Sequence, residues 1–177
     1  MRRQTKIFLL LGFTASGILM GLVSIFLILL KEAYIPAAVL ILASALIDRY
    51  DGRIARSIGL RTKTGEALDT VNDLVSFTLA PMSLVFAGSL FPFLTVSILL
   101  TLLFFTSAVF RLFRYHKQGS PHHFQGLPTT ISGTMFVLIF LIVHGVPISA
   151  LDQGFFYGAV IVGLSALMVS RMRFSKV

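Results

Sequence analysis

The feature that most constrains the fold is the uncharged run from Ile7 to Leu30, which holds 24 residues. About 20 consecutive apolar residues allow an α-helix to cross the roughly 30 Å hydrocarbon core of a bilayer. A charged start before an apolar run is also typical of a signal peptide, but the full length of this run favours a retained first helix. Other long apolar runs follow, and only 12% of the 177 residues are charged. The sequence therefore predicts a single membrane domain over residues 1–177.

The apolar runs and the breaks between them predict an all-α, polytopic membrane protein with six transmembrane helices. The helices are expected at Ile7–Leu30, from about Tyr34 into an acidic stretch, from near Gly65 to Ser89, from Phe93 to about Tyr115, from about Leu127 to His144, and from about Leu151 to Ser170. Pro81 lies inside the third helix and predicts a kink there. A basic linker, Ser57–Thr64, and a polar loop, Lys117–Gln125, join successive helices.

The positive charges predict how these helices are oriented. Fourteen of the fifteen Lys and Arg residues fall on one side of a six-helix arrangement, and only Lys31 falls on the other. Since basic loops stay on the cytoplasmic side, both termini are predicted to lie in the cytoplasm of a cell-membrane protein. The net charge of +8 suits anionic lipid headgroups and phosphorylated substrates, and it requires no nucleic acid partner.

Five of the seven acidic residues lie in the stretch from Asp48 to Asp73. The apolar runs on both sides are short, so the helices that carry them are expected to continue through the acidic residues and to bring carboxylates to the membrane surface or below it. Asp48 and Asp51 are three residues apart, and Asp69 and Asp73 are four apart, so each pair shares one helix face. Because carboxylates inside a membrane are costly, the cluster indicates a functional site.

These four aspartates predict a metal site between the second and third helices at the cytoplasmic side. Carboxylates brought together in a partly dry site repel one another unless cations are bound. Oxygen donors in a chain without Cys favour Mg²⁺, Mn²⁺ or Ca²⁺ over zinc, and two ions are compatible with phosphoryl transfer. The plainer alternative is that the carboxylates cap helix ends or pair with Arg49, Arg53 and Arg61.

Small and basic residues are interleaved with the aspartates. Gly52 and Gly65 allow a ligand or a backbone to approach closely, and Ala55 lies one turn after Asp51. Arg56 can present a planar pair of donors to a phosphate, although it also fits as an ordinary cytoplasmic arginine. The combination indicates a phosphorylated substrate.

The spacing D-x2-D-G-x2-A-R-x8-G-x3-D-x3-D, from Asp48 to Asp73, resembles the signature of the CDP-alcohol phosphatidyltransferases at every fixed position. The resemblance implies a membrane enzyme that moves a phosphatidyl group from CDP-diacylglycerol to an alcohol and releases CMP. It implies that Mg²⁺ or Mn²⁺ is held by Asp48, Asp51, Asp69 and Asp73. It also implies that Asp73 is the base, that Arg56 assists with phosphate, and that Gly52, Ala55 and Gly65 leave room for the nucleotide.

Further segments are similar to the phosphatidylserine synthase branch of that family, namely Leu68–Pro81, Phe110–His116, Phe124–Pro128 and Leu167–Phe174. They imply L-serine as the acceptor, with Arg111 or Arg114 binding its carboxylate or the lipid phosphate. The chain departs from the branch at Thr78, His116 and Thr130, so glycerol 3-phosphate and inositol compounds remain alternative acceptors.

A different class of function also accounts for carboxylates in a membrane, namely a non-enzymatic carrier or channel. The sequence has no repeated halves of the kind that many transporters show, which favours the enzyme. His122 and His123 are expected to be solvated loop residues. Besides the two substrates and membrane lipids, a homodimer is compatible with the sequence, which does not define an oligomeric state.

Overall fold

A computed structural model of the chain describes residues 3–58, 63–87, 90–91, 93–118, 123–147 and 149–175. The side chains of residues 3–10, 51, 54–58, 63, 116–118, 123–125, 150 and 173–175 lie outside this description. The helices are α1 (Arg3–Lys31), α2 (Tyr34–Ile58), α3 (Lys63–Leu74), a π-helical turn (Val75–Leu79), α4 (Ala80–Ala87), α5 (Leu94–Gln118), α6 (Thr129–Val143) and α7 (Ala150–Val169). α3, the π-helical turn and α4 follow one another without a break, and together they correspond to the third predicted helix. Each of the six predicted helices therefore has a counterpart in the structure.

Four helices in the described ranges are long and apolar enough to cross a membrane: Leu11–Lys31, Thr64–Ala87, Leu94–Tyr115 and Leu151–Val169. The other two do not meet that standard alone. The charged residues of the acidic stretch lower the hydropathy of α2, and α6 has 15 residues. At about 1.5 Å per residue, α6 is roughly 22 Å long, which is shorter than a typical hydrocarbon core.

The packing of the helices has the polarity expected in lipid. Large apolar side chains point outward, for example Phe155, which is 78% exposed, and Ile142, which is 73% exposed. Small polar side chains are buried between helices instead. The hydroxyl of Ser24 in α1 lies 3.1 Å from the carbonyl oxygen of Ala37 in α2, and the hydroxyl of Ser44 donates to the carbonyl of Gly17. Such residues let membrane helices pack closely.

The π-helical turn lies where a kink was predicted, immediately before Pro81. Proline has no N–H to donate to the carbonyl of Phe77, four residues earlier, and its ring would clash there in a regular α-helix. The backbone widens instead, and the N–H of Ala80 bonds to the carbonyl of Val75. The Phe77 carbonyl is packed against Gly133 of α6, where a Cβ atom would overlap it. This wide turn brings α6 close to the helix that carries Asp69 and Asp73.

One pair of short strands was not predicted. β1 (His123–Gln125) lies in the expected polar loop and pairs antiparallel with β2 (Arg173–Ser175), with Phe124 opposite Phe174. After β1, Gly126 has a φ of 78°, a conformation that glycine adopts without strain. Its N–H donates to the carbonyl of Met172. The chain end is thereby tied to the loop that leads into α6.

Candidate functional site

Two of the predicted metal ligands converge on one hydroxyl group. Thr130, in the first turn of α6, donates from Oγ1 to Oδ1 of Asp73 at 3.0 Å, and the same Oγ1 lies 3.4 Å from Oδ2 of Asp48. Oδ1 of Asp73 and Oδ2 of Asp48 are therefore no further apart than the sum of these two distances, 3.0 and 3.4 Å. Asp73 is 9% exposed, and Asp48 is half-buried. The structure thus brings carboxylates from α2 and α3 into one partly buried site.

Arg111 is the cation beside these carboxylates. It comes from α5, is 8% exposed, and places Nη1 3.9 Å from Oδ2 of Asp73. The same Nη1 donates to Oγ1 of Thr129 at 2.7 Å. Its Nε is buried and has no hydrogen-bond partner among the described residues. Because a buried guanidinium is costly unless its donors are satisfied, Arg111 retains the capacity to bind an anion.

A buried amide holds Asp48 from the other side. Asn72, one residue before Asp73, is 1% exposed and donates from Nδ2 to Oδ1 of Asp48 at 3.2 Å. The hydroxyl of Ser76 lies 2.9 Å from Oδ1 of Asn72 and 3.1 Å from the carbonyl oxygen of Gly17 in α1. Since a hydroxyl has one proton, it donates to one of these acceptors at a time. The side chain that orients Asp48 therefore shares Ser76 with the backbone of α1, and it packs against Gly17 of that helix.

The other residues of the predicted signature are placed only in part. Asp69 precedes Asp73 by one turn of α3 and is exposed, and Gly65 lies near the start of the same helix. Gly52 lies on α2, and no described atom beyond its own stretch of helix lies within 4 Å of the position of a Cβ atom there. The backbones of Asp51, Ala55 and Arg56 also belong to α2, but their side chains lie outside the described part of the chain, as does His122.

Arg114 faces a different part of the fold from Arg111. Its guanidinium donates to the carbonyl oxygens of Val169 at 3.0 Å, Ser170 at 3.1 Å and Met168 at 3.3 Å. These carbonyls end α7 and have no partner within that helix, so a cation is favourable there. The N–H of Leu127 also bonds to the carbonyl of Leu167. In the structure Arg114 therefore joins α5 to the end of α7.

The donor set fits a hard divalent cation, although the described side chains do not complete a metal site. Among them, no three His, Cys, Asp or Glu residues are grouped closely enough to hold an ion. The side chain of Asp51, a predicted ligand, is not among the described ones. The carboxylates of Asp48 and Asp73 nevertheless face one point, and their oxygen atoms are the ligands that Mg²⁺ and Mn²⁺ prefer.

Comparison with known proteins agrees with this geometry. The sequence model of the CDP-alcohol phosphatidyltransferase family matches residues 12–169, which is most of the chain. The chain belongs to the CDP-alcohol phosphatidyltransferase family. The resemblance drawn from the aspartate spacing is thereby confirmed, and this phosphatidyltransferase is an enzyme of phospholipid synthesis.

Its relatives are named for serine. A CDP-diacylglycerol–serine O-phosphatidyltransferase of Helicobacter pylori (strain 26695) is 28% identical over 165 residues, covering 92% of this chain and 69% of that protein. A protein of the same name from Bacillus subtilis (strain 168) is 26% identical over 167 residues, covering 91% and 86%. An archaetidylserine synthase of Methanothermobacter thermautotrophicus is 26% identical over 144 residues, covering 80% and 58%.

Sequence reasoning missed three polar residues of the site. Asn72 was a position between two aspartates of the signature, and Thr130 was noted only as a departure from the phosphatidylserine synthase branch. Thr129 was not predicted to have any role in the site. The available signal was an Asn between Asp69 and Asp73 on a helix expected to enter the membrane, because a buried amide needs a hydrogen-bond partner. Nothing in the spacing indicated that the first turn of α6 would face Asp73.

Proposed function

We propose that this phosphatidyltransferase moves the phosphatidyl group from CDP-diacylglycerol to the hydroxyl of L-serine, giving phosphatidylserine and CMP. The observation that supports this best is the meeting of Asp48, Asp73 and Arg111, which offers oxygen ligands and a buried anion-binding cation side by side. The names of the relatives agree on serine, whereas they differ in the lipid, phosphatidyl in some and archaetidyl in another.

In this proposal Asp48, Asp51, Asp69 and Asp73 hold one or two Mg²⁺ or Mn²⁺ ions at the cytoplasmic ends of α2 and α3. When bound, the ions would neutralise charge on the diphosphate of the lipid and on the departing CMP. The six helices all span the membrane, with both termini in the cytoplasm, because that arrangement puts fourteen of the fifteen basic residues on one side. Gly52, Ala55 and Gly65 leave room for the nucleotide, and Arg56 binds phosphate.

Asp73 is the proposed base. Its carboxylate takes the proton of the serine hydroxyl as the hydroxyl oxygen attacks the phosphorus on the lipid side, and the bond from that phosphorus to the CMP oxygen breaks. Arg111 is better placed than Arg114 to bind the serine carboxylate or the lipid phosphate. Its Nε is buried with no protein partner in the described structure, whereas Arg114 donates to the end of α7.

The lipid chains have an apolar surface next to this site. A groove lies between α3 and α5, and its lining is almost entirely apolar. One of the residues that line it, Thr70, directly follows Asp69 in the sequence. The groove is lined by Thr70, Leu74, Val109, Leu112 and Phe113. An acyl chain lying there would leave the diphosphate next to Asp69 and Asp73, and burial of apolar surface favours that position.

The test is CMP release by the purified, detergent-solubilised protein. With CDP-diacylglycerol as the donor, we expect CMP only when serine and Mn²⁺ or Mg²⁺ are both supplied, and we expect EDTA to abolish the reaction and added metal to restore it. Glycerol 3-phosphate and inositol phosphate serve as matched acceptors, and a CDP-activated archaeal lipid serves as the matched donor. Faster CMP release with either other acceptor would refute serine as the acceptor. Full activity in EDTA would refute the metal assignment.

A further inference from the structure

The two threonines that begin α6 each hold one member of the same charged pair. Thr130 donates to Asp73 through Oδ1 at 3.0 Å, and Thr129 accepts from Nη1 of Arg111 at 2.7 Å. Being adjacent in one helix turn, the two residues keep a fixed spacing. Thr129 is fully buried and Thr130 is half-buried, so neither hydroxyl is simply a solvated surface group.

Arg111 and Asp73, the charged pair that they hold, are too far apart for a direct hydrogen bond between them. Nη1 of Arg111 and Oδ2 of Asp73 are 3.9 Å apart, whereas charge-assisted N–H···O bonds close to about 2.7–2.9 Å. Coulomb attraction between full charges is strong at a buried site, so an unrestrained pair would be expected to shorten. The two hydroxyls provide the competing bonds, one to each partner.

We propose that Thr129 and Thr130 form a clamp that holds Asp73 and Arg111 apart, which keeps the carboxylate available to metal and the guanidinium available to an anionic substrate. The clamp rests on the proposed function, since it gives a role to the separation of these two groups. Without the Thr130 hydroxyl, the Asp73 carboxylate turns to Arg111 and forms a closed ion pair with it. The carboxylate is then less available to metal, and the guanidinium is less available to substrate. Thr130 is thus a positioning residue that acts through Asp73.

The Thr130 hydroxyl lies between the carboxylates of Asp48 and Asp73. Oγ1 of Thr130 lies 3.4 Å from Oδ2 of Asp48, while Asn72 donates to the other oxygen of that carboxylate. Because a hydroxyl has one proton and the shorter contact is to Asp73, Asp48 is oriented mainly by Asn72. Asp73 is oriented on one side by the Thr130 hydroxyl and on the other by the Arg111 guanidinium. Removal of the Thr130 hydroxyl is expected to disturb Asp73 more than Asp48.

The variants Thr130→Val and Thr130→Ser separate the hydroxyl from the shape of the side chain. Loss of a residue that hydrogen-bonds to a metal ligand commonly alters metal affinity or activity by about 10- to 100-fold. Mn²⁺ binding is measured without substrate, from the electron paramagnetic resonance signal of the free ion. We expect Thr130→Val to weaken this binding by about tenfold or more. We expect Thr130→Ser to stay within about twofold of the unaltered protein. In the CMP assay Thr130→Val should lower kcat and leave KM for CDP-diacylglycerol nearly unchanged.

The control is Thr134→Val, the same substitution one turn later in α6. The Thr134 hydroxyl donates to the backbone carbonyl of Thr130 and does not take part in the charged pair. We expect this variant to bind Mn²⁺ and to turn over like the unaltered protein. Thermal unfolding of all variants shows whether a change arises from lost folding.

A double-mutant cycle tests the cause. If Thr130→Val acts by letting Asp73 close on Arg111, the loss of Mn²⁺ affinity should fall to about twofold or less in an Arg111→Gln background. An equal loss in both backgrounds, or Mn²⁺ binding by Thr130→Val that matches the unaltered protein, would overturn the clamp. No Mn²⁺ binding by the unaltered protein would overturn the clamp and the metal site together. Failure to release CMP with serine would refute only the proposed reaction, because the Mn²⁺ titration does not depend on the acceptor.

Discussion

Gly17→Ala is a one-methyl change, far from the signature in sequence, that should impair the site. A Cβ atom at Gly17 would lie 2.9 Å from Oδ1 and 3.3 Å from Cγ of Asn72. Asn72 is buried and holds Asp48 through a bond of 3.2 Å, so we expect a shift of its amide away from α1 to weaken that bond. The structure therefore connects a methyl group in α1 to the orientation of a predicted metal ligand in α2.

The expected magnitude follows from the bond that is lost. A hydrogen bond to a charged group contributes about 1.5–3 kcal/mol. If that contribution is expressed fully in the transition state, kcat/KM falls by about 10- to 150-fold, since about 1.4 kcal/mol corresponds to a factor of ten. The assay is CMP release from CDP-diacylglycerol and serine, normalised to folded protein by thermal unfolding.

The matched control is Gly12→Ala in the same helix, where the added methyl group meets none of the described atoms of other elements within 4 Å. Both variants gain the same helix propensity, about 1 kcal/mol for Gly to Ala, so their difference isolates the contact with Asn72. The double variant Gly17→Ala/Asn72→Ala should be no worse than Asn72→Ala alone. Equal activity of the Gly17→Ala and Gly12→Ala proteins would refute the connection through Asn72.

The remaining predictions concern the base and the π-helical turn. Asp73→Asn should abolish turnover while the protein still binds CDP-diacylglycerol, because the amide cannot accept the serine proton; near-normal turnover would show that another group is the base. Gly133→Ala should lower the thermal unfolding temperature, because its methyl group meets the backbone of Phe77, with the Cα atom 2.8 Å away, and overpacking of this kind costs about 1–3 kcal/mol. Gly163→Ala adds a methyl group that meets nothing within 4 Å in the described part of the chain, so it should unfold like the unaltered protein. Equal unfolding temperatures for the two variants would contradict the close approach at Gly133.

Element positions could be predicted well because apolar length and helix breakers act locally. The first helix was expected to end at Leu30 and ends at Lys31, and the fourth was expected from Phe93 and begins at Leu94. Pro81 predicted a kink, since a missing N–H is a property of the residue itself. The strand pair of β1 and β2 could not be predicted, because it joins segments about 50 residues apart that have no strand pattern of their own.

The site could be predicted only as a set of carboxylates. The signature spacing put Asp69 and Asp73 on one face of a helix, which periodicity alone decides. It could not tell Arg111 from Arg114, three residues apart and identical in chemistry. The structure separates them, since Arg111 lies beside Asp73 and Arg114 bonds to the end of α7. That difference depends on where α7 ends relative to α5.

The sequence by itself determined that this protein is a helical phosphatidyltransferase with helices long and apolar enough to cross a membrane, because span length and aspartate spacing are properties of contiguous chain. Only the tertiary structure decided what surrounds the aspartates. Asn72 reaches Asp48 because Gly17 lets α1 come close, and Thr130 reaches Asp73 because the turn before Pro81 widens against α6. These contacts join residues 24 and 57 positions apart, and helix packing, not local preference, brings them within hydrogen-bond distance.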